Sequence, residues 1–242
     1  AYPLTPKSFR AYRIGERERI PAFLAEQWAK APTLSVYVHV PFCQVRCKFC
    51  EYVVVGGEDA AHEEEYVDLL LREIALYQPL VQGKRVVGFD VGGGTPTKLA
   101  VPQLERITDA VRGAFALDPE MVFSIETTPV IAAREPEKLA ALFAMGYRRI
   151  SMGVQTVSEK LLNELGREGA AAVYERATTN IRAAGFTRFN IDLMYGFLHQ
   201  SDEDFEHTVR YAIGLGPEYI TLYRNRYKGT RLEDEAGGVS LY

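Results

Sequence analysis

The stretch Ser35-Val-Tyr-Val-His-Val-Pro-Phe-Cys43-Gln-Val-Arg-Cys47-Lys-Phe-Cys50 decides the reading of this chain. Its first part, Ser35–Val40, is a β-branched alternating run and predicts a strand. Tyr37 and His39 alternate there with Val36, Val38 and Val40, so one strand face is polar. The strand runs into a loop with the spacing C-x3-C-x2-C. Cys43, Cys47 and Cys50 are the three cysteines of the chain. An odd, clustered set is not a disulfide framework. It points to a reducing compartment and to thiolate ligands for a metal or cluster. A structural zinc wants a fourth protein ligand, drawn from His39, His62, His199 or His207, none at a standard spacing. A [4Fe–4S] cube accepts three cysteines and leaves one iron open. Ligand count leaves both readings standing.

Outward from this stretch, strands and helices alternate. Strands are predicted at Ser35–Val40, Lys84–Val91, Met121–Glu126, Arg149–Gly153, Arg188–Met194 and Tyr219–Tyr223. Helices are predicted at Ala61–Tyr77, Val101–Phe115, Glu135–Met145, Ser158–Leu165, Ala170–Ala184 and Asp202–Gly214. Within the first helix the apolar stripe reads as Tyr66, Leu69, Leu70, Glu73 and Ile74, and Glu63-Glu-Glu65 as a solvated first turn. Repeated βα units mean an α/β fold with a parallel sheet, as a full or partial barrel. Right-handed crossovers put every strand's C-terminal end on one face, where such folds bind ligands. Residues 1–33 read as an N-terminal extension, 34–230 as the core, and 231–242 as the start of a further C-terminal region.

The 242 residues are 47% hydrophobic and 25% charged, an ordinary globular mix, with a net charge of −4. No basic field draws the chain to nucleic acid or to an anionic membrane. No apolar run approaches the roughly 18 residues of a membrane span. The first thirty residues lack the apolar centre of a secretory leader, so a cytoplasmic protein is expected.

Other residues sit where strand ends should open. Gly92-Gly-Gly-Thr-Pro-Thr97 follows the second strand, and three glycines let backbone N–H groups approach a ligand. Glu126 ends the third strand. Gln155 and Asp192 sit at the ends of the fourth and fifth, and Arg167 follows a short helix. Tyr195 and Tyr223 could line a pocket for a planar substrate. Arg224, Arg226 and Lys228 form a small basic stripe that could hold a carboxylated one. His39 reads either as a satisfied barrel histidine or as a hydrogen-bonding group near the cluster.

The C-x3-C-x2-C loop after a first strand resembles the radical S-adenosylmethionine (SAM) enzymes. Four ordered motifs carry a closer resemblance: Tyr37-Val-His-Val-Pro-Phe-Cys43, Gly92-Gly-Gly-Thr-Pro-Thr97, Ser151-Met-Gly-Val-Gln155 and Asn190-Ile-Asp-Leu-Met-Tyr-Gly196. Together they look like the oxygen-independent coproporphyrinogen III oxidase group, over about Leu34 to Thr230. The resemblance implies a radical SAM partial (β/α)6 barrel. It implies a [4Fe–4S] cluster on Cys43, Cys47 and Cys50, whose open iron holds SAM and whose electron cleaves it to methionine and a 5′-deoxyadenosyl radical. It implies SAM contacts at Tyr37, Gly93 and Glu126, the carboxylate meeting the ribose hydroxyls. It implies a second SAM at Phe49, Gly94, Thr95, Gln155, Arg167 and Asp192. A small-molecule substrate, an electron donor such as flavodoxin or ferredoxin, and a monomer follow from the same likeness.

The chain departs from the oxidase at several places. Tyr52 stands where the oxidase has a fourth cysteine, Glu51-Tyr-Val-Val-Val55 is more apolar, and Thr127-Thr128 ends strand three differently. Arg226 replaces a small residue. Two SAM sites without the fourth cysteine lead to the expectation of a methyltransferase or cyclopropanase. There the second SAM donates a methylene to an sp2 carbon of a natural product. The alternatives are the oxidase itself, in haem synthesis, and a haem-binding chaperone relative.

Overall fold

The computed structural model describes residues 17–56, 59–167, 169–227 and 230–233. Glu168, Lys228, most of the N-terminal extension and most of the C-terminal region lie outside the described residues.

The elements run α1 (Ile20–Ala29), β1 (Thr33–Val40), β2 (Phe42–Cys43), β3 (Val55–Gly56), α2 (Ala60–Tyr77), β4 (Arg85–Gly93), α3 (Val101–Ala114), β5 (Ala116–Leu117) and β6 (Phe123–Thr127). Then follow α4 (Pro129–Arg134), α5 (Pro136–Ala144), β7 (Tyr147–Gln155), α6 (Glu159–Glu164), α7 (Ala171–Ala183), β8 (Arg188–Tyr195), α8 (Asp202–Gly214) and β9 (Tyr219–Arg224). The main sheet has the order β1-β4-β6-β7-β8-β9, with β5 attached to β4. Every pairing in it is parallel. This is the parallel sheet expected of a partial (β/α) barrel, with β1 and β9 at its two edges.

One core holds the layers together. Val38, Phe89, Ile125, Ile150 and Phe189 from five strands are each at most 3% exposed and belong to it. Residues of the opposite parity face a polar interior: Ser124, Ser151 and Asn190 are buried, and Asn190 donates to Ser151 Oγ at 3.3 Å and accepts from Thr221 Oγ1 at 3.0 Å. The polar face expected for β1 is present, with Tyr37 OH and His39 Nδ1 3.2 Å apart while Val38 and Val40 are buried.

Just past β6, Pro129 opens α4, where a Pro without an N–H costs nothing. Two expectations need correction. The buried face of α2 is Glu63, Val67, Leu70 and Ile74, with Leu69 51% exposed, so the predicted stripe was rotated. Glu63 is not solvated: it is buried and paired with Lys98. The extension also contains α1, which no periodic signal disclosed. It has no buried residue and is held by Trp28 against Tyr77, ring centroids 5.6 Å apart.

Replacing the wholly buried Ile125 by Ala should cost about 2–5 kcal/mol, read as a lower urea midpoint at unchanged slope.

Candidate functional site

The strand ends β1, β4, β6, β7, β8 and β9 open on one mouth, and the cysteine loop follows β1 directly. Cys43, Cys47 and Cys50 are free thiols, each half-buried. Cys43 Sγ shares a hydrogen bond with Thr95 Oγ1 at 3.3 Å. Burial pushes the Cys43 thiol up, Thr95 works against this, and Cys47 and Cys50 raise it further. Burial also pushes Cys50 up, against a backbone N–H from Tyr52. Such thiols lose their protons when a metal centre binds.

The glycine loop is stitched to this segment. Gly94 N–H donates to Val40 O at 2.7 Å and Thr95 N–H to Phe42 O at 2.8 Å. A Cβ at Gly94 would lie 2.7 Å from Phe42 O and 3.0 Å from Cys43 Sγ. At Gly93, with φ +118°, it would meet Val40 O at 2.8 Å and the His39 ring at 2.9 Å. At Gly92 it would meet the Glu126 carboxylate at 2.8 Å. Only a loop without side chains fits here. The N–H groups are not held open for a ligand, as the sequence had suggested: those of Gly93, Gly94 and Thr95 are all used within the fold.

Glu126 accepts from Gly93 N–H at 3.1 Å. Its carboxyl is open to the mouth yet walled by protein. That burial pushes it up to about 7, with Asp192 and Asp90 adding to the rise and Gly93 and Arg149 opposing it. Tyr37, Tyr52 and Tyr223, all more than half exposed, feel the same carboxylate, and burial first, then Glu126, pushes Tyr37 up to about 12. Asp192, also pushed up by burial, accepts from Asn190 Nδ2 at 2.8 Å.

On the other side of the mouth Arg167 donates to Cys47 Sγ at 3.4 Å and to Gly153 O. Gln155 takes φ +70°, the left-handed region where a non-glycine residue is strained. Its Oε1 is buried without a partner, as are Arg46 Nε and both amide atoms of Asn225. Buried polar groups normally find partners, so these are groups for which the fold supplies none. Arg46 and Asn225 were missed in the sequence, where Arg224 and Arg226 drew attention instead; Arg226 sits 3.8 Å from Glu51. Phe49 packs on Phe197 at 6.0 Å, in a small apolar cluster with Leu161, Leu165 and Tyr227. Tyr195 and Tyr223 are exposed rather than packed in the core.

Among the described residues, no three His, Cys, Asp or Glu side chains are gathered for a single metal ion. His62 pairs with Asp59 at 2.8 Å and His199 with Glu164 at 3.0 Å, so each of these rings already has a carboxylate partner. A [4Fe–4S] cube takes each thiolate on a separate iron, and three reduced cysteines in one short loop fit it.

The family model described as the radical SAM superfamily matches residues 37–212. The chain is 32% identical over 195 residues to the haem chaperone HemW of Escherichia coli K12, covering 81% of this chain and 51% of that protein. It is 34% identical over 190 residues to the oxygen-independent coproporphyrinogen III oxidase of the same strain, covering 78% and 41%. The solved coproporphyrinogen III oxidase HemN from Escherichia coli superposes with a TM-score of 0.79 at 33% identity, over 88% of this chain and 49% of that one. The chain thus spans about half the length of the curated relatives it matches.

Gly94→Ala should prevent cluster loading, read as lost iron and sulfide, while Gly113→Ala, with open space around it, should load normally. The raised Glu126 carboxyl costs stability as pH climbs from its ordinary 4.5 to about 7, and by a constant amount above that. Glu126→Gln in the metal-free chain should therefore gain stability relative to wild type across that window and plateau beyond it, followed by Tm against pH.

Proposed function

The chain belongs to the radical SAM superfamily and is homologous to HemN and HemW, and from that premise we propose that it supplies the SAM-cleaving barrel of an enzyme acting on a coproporphyrinogen-type tetrapyrrole. The likeness to the oxidase, at a TM-score of 0.79, carries the substrate reading. The methylation or cyclopropanation expected above has less behind it, because these relatives are named for an oxidase and a haem chaperone.

The family implies a [4Fe–4S] cluster and SAM. Cys43, Cys47 and Cys50 are the residues to hold the cluster. When bound, it supplies an open iron for SAM and the electron that yields methionine and a 5′-deoxyadenosyl radical. The chain's own groups then orient and shield. Glu126 offers carboxylate oxygens to ribose hydroxyls beside Gly93. The amino end of the ligand is a hydrogen-bond donor, so the glycine loop meets it with carbonyls, its N–H groups being engaged. Arg167 keeps a positive charge against Cys47. The unpartnered Gln155 Oε1, held on a strained backbone, supports a second ligand on that side, for which Arg167 and Asp192 would supply the remaining polar contacts. In the oxidase reading the chemistry so supplied would be the oxidative decarboxylation of a propionate side chain to a vinyl group, the hydrogen atom leaving in 5′-deoxyadenosine, with carbon dioxide released and one electron passed to an acceptor.

A second reading, the haem chaperone, draws support from the 32% identity to HemW over 81% of this chain. Product analysis separates the readings. Protein reconstituted anaerobically with iron and sulfide is given SAM, dithionite and coproporphyrinogen III. We expect 5′-deoxyadenosine with carbon dioxide and a vinyl product, all abolished by Cys43→Ala. S-adenosylhomocysteine among the products would favour methylene transfer, and tight haem binding without turnover would favour the chaperone. No 5′-deoxyadenosine from cluster-loaded protein would overturn SAM cleavage itself.

A further inference from the structure

Two lysines grip the glycine loop. Lys98, which directly follows Thr97, has a side chain only 7% exposed, and its ammonium pairs with Glu63, 11% exposed. Lys138 of α5 donates to Thr97 O at 2.8 Å and pairs with Glu135 at 2.7 Å. Thr97 Oγ1 meets Thr127 Oγ1 at 2.9 Å, next to Glu126. A buried ammonium is costly unless paired, and a pair as enclosed as Lys98 with Glu63 is not a surface ornament.

What the Lys98 pair joins is specific. Glu63 lies in the first turn of α2, the helix reached from the cysteine loop; Lys98 is where the chain leaves the glycine loop. The Lys98 ammonium also lies 5.8 Å over the Phe42 ring, and Phe42 precedes Cys43. Tyr66, three residues beyond Glu63 on the same helix face, meets Phe42 edge-on at 5.3 Å and donates to His39 O. Helix and cation together clamp residues 39–42 against the glycine loop. The bonds from Gly94 N–H to Val40 O and from Thr95 N–H to Phe42 O lie inside that clamp.

The geometry points to Glu63 and Lys98 as a positioning pair for SAM binding. They fix Cys43 against the glycine backbone, so that a ligand held by the cluster and by the glycine loop meets both at one separation. The inference rests on the SAM-cleaving reading. Neither residue touches the reacting atoms.

A double variant, Glu63→Leu with Lys98→Met, removes both charges together and leaves no unpaired ion, a change that buried pairs often tolerate without loss of stability. In the metal-free chain, hydrogen exchange at the Gly94 and Thr95 amides should quicken about tenfold relative to core amides such as Ile125. In the cluster-loaded chain with dithionite, the KM for SAM should rise about tenfold with kcat for 5′-deoxyadenosine release little changed. Lys98→Arg alone, which keeps the pair with Glu63, should leave both values at wild type. Should the double variant fail to fold, Glu63→Gln with Lys98→Met, which nearly keeps both side-chain volumes and again leaves no unpaired ion, carries the same comparison. Unchanged exchange and KM in a folded, loaded variant would overturn the pair's role, as would a fall in cluster content that alone accounts for lost activity. If wild type loads a cluster yet never cleaves SAM, the SAM reading fails, and exchange still decides whether the pair sets the two loops.

Discussion

Two backbone hydrogen bonds, 2.7 Å from Gly94 to Val40 and 2.8 Å from Thr95 to Phe42, join the first cysteine's segment to the glycine loop. They form only because no side chain stands between. A Cβ on Gly93 or Gly94 would meet backbone oxygen at 2.8 or 2.7 Å, and neither oxygen can yield without moving a strand end. The thiols, the loop and the carboxylate of Glu126 are thereby set as one unit. Everything else at the mouth is arranged around it.

That unit creates an electrostatic problem as well as a shape. Asp90, Glu126 and Asp192 share the polar interior with Arg149, which reaches Asp90 at 3.9 Å and Ser124 at 3.5 Å. One loosely held guanidinium does not neutralise three carboxylates, and burial first, with Asp192 and Asp90 adding to it, holds the Glu126 proton nearer neutrality. The groups without partners at the same mouth are neutral amide atoms of Gln155 and Asn225 and one guanidinium nitrogen of Arg46. Carboxylates and unsatisfied polar groups therefore alternate along it, with Gln155 on β7 between Glu126 on β6 and Asp192 on β8.

Much of this was legible. The strands announced themselves by β-branched runs that ended in glycine or a special loop, and α8 was read at its full bounds, Asp202–Gly214. The three cysteines and Gly92–Thr97 could be placed together because parallel βα units send their loops to one face. The rest depended on contacts that no local pattern encodes. Glu63 resembles a solvated helix start until Lys98 arrives from a different βα unit. The rotation of the α2 stripe follows from that burial. α1 escaped notice because a helix with no buried face carries no periodic signal. Asn225 looks like a strand-end polar residue, and its isolation exists only in the folded chain.

The strand order repeats the chain order from β1 to β9. Each βα unit can therefore dock on the one made just before it, without waiting for a distant partner. The cysteine loop, the glycine loop and the α2 clamp all come from the first two units. Synthesis proceeds from the N-terminus. The half of the site that holds the thiols is thus within reach of assembly while the strands bearing Gln155 and Asp192, and the segment after β9 with Asn225, are still being made.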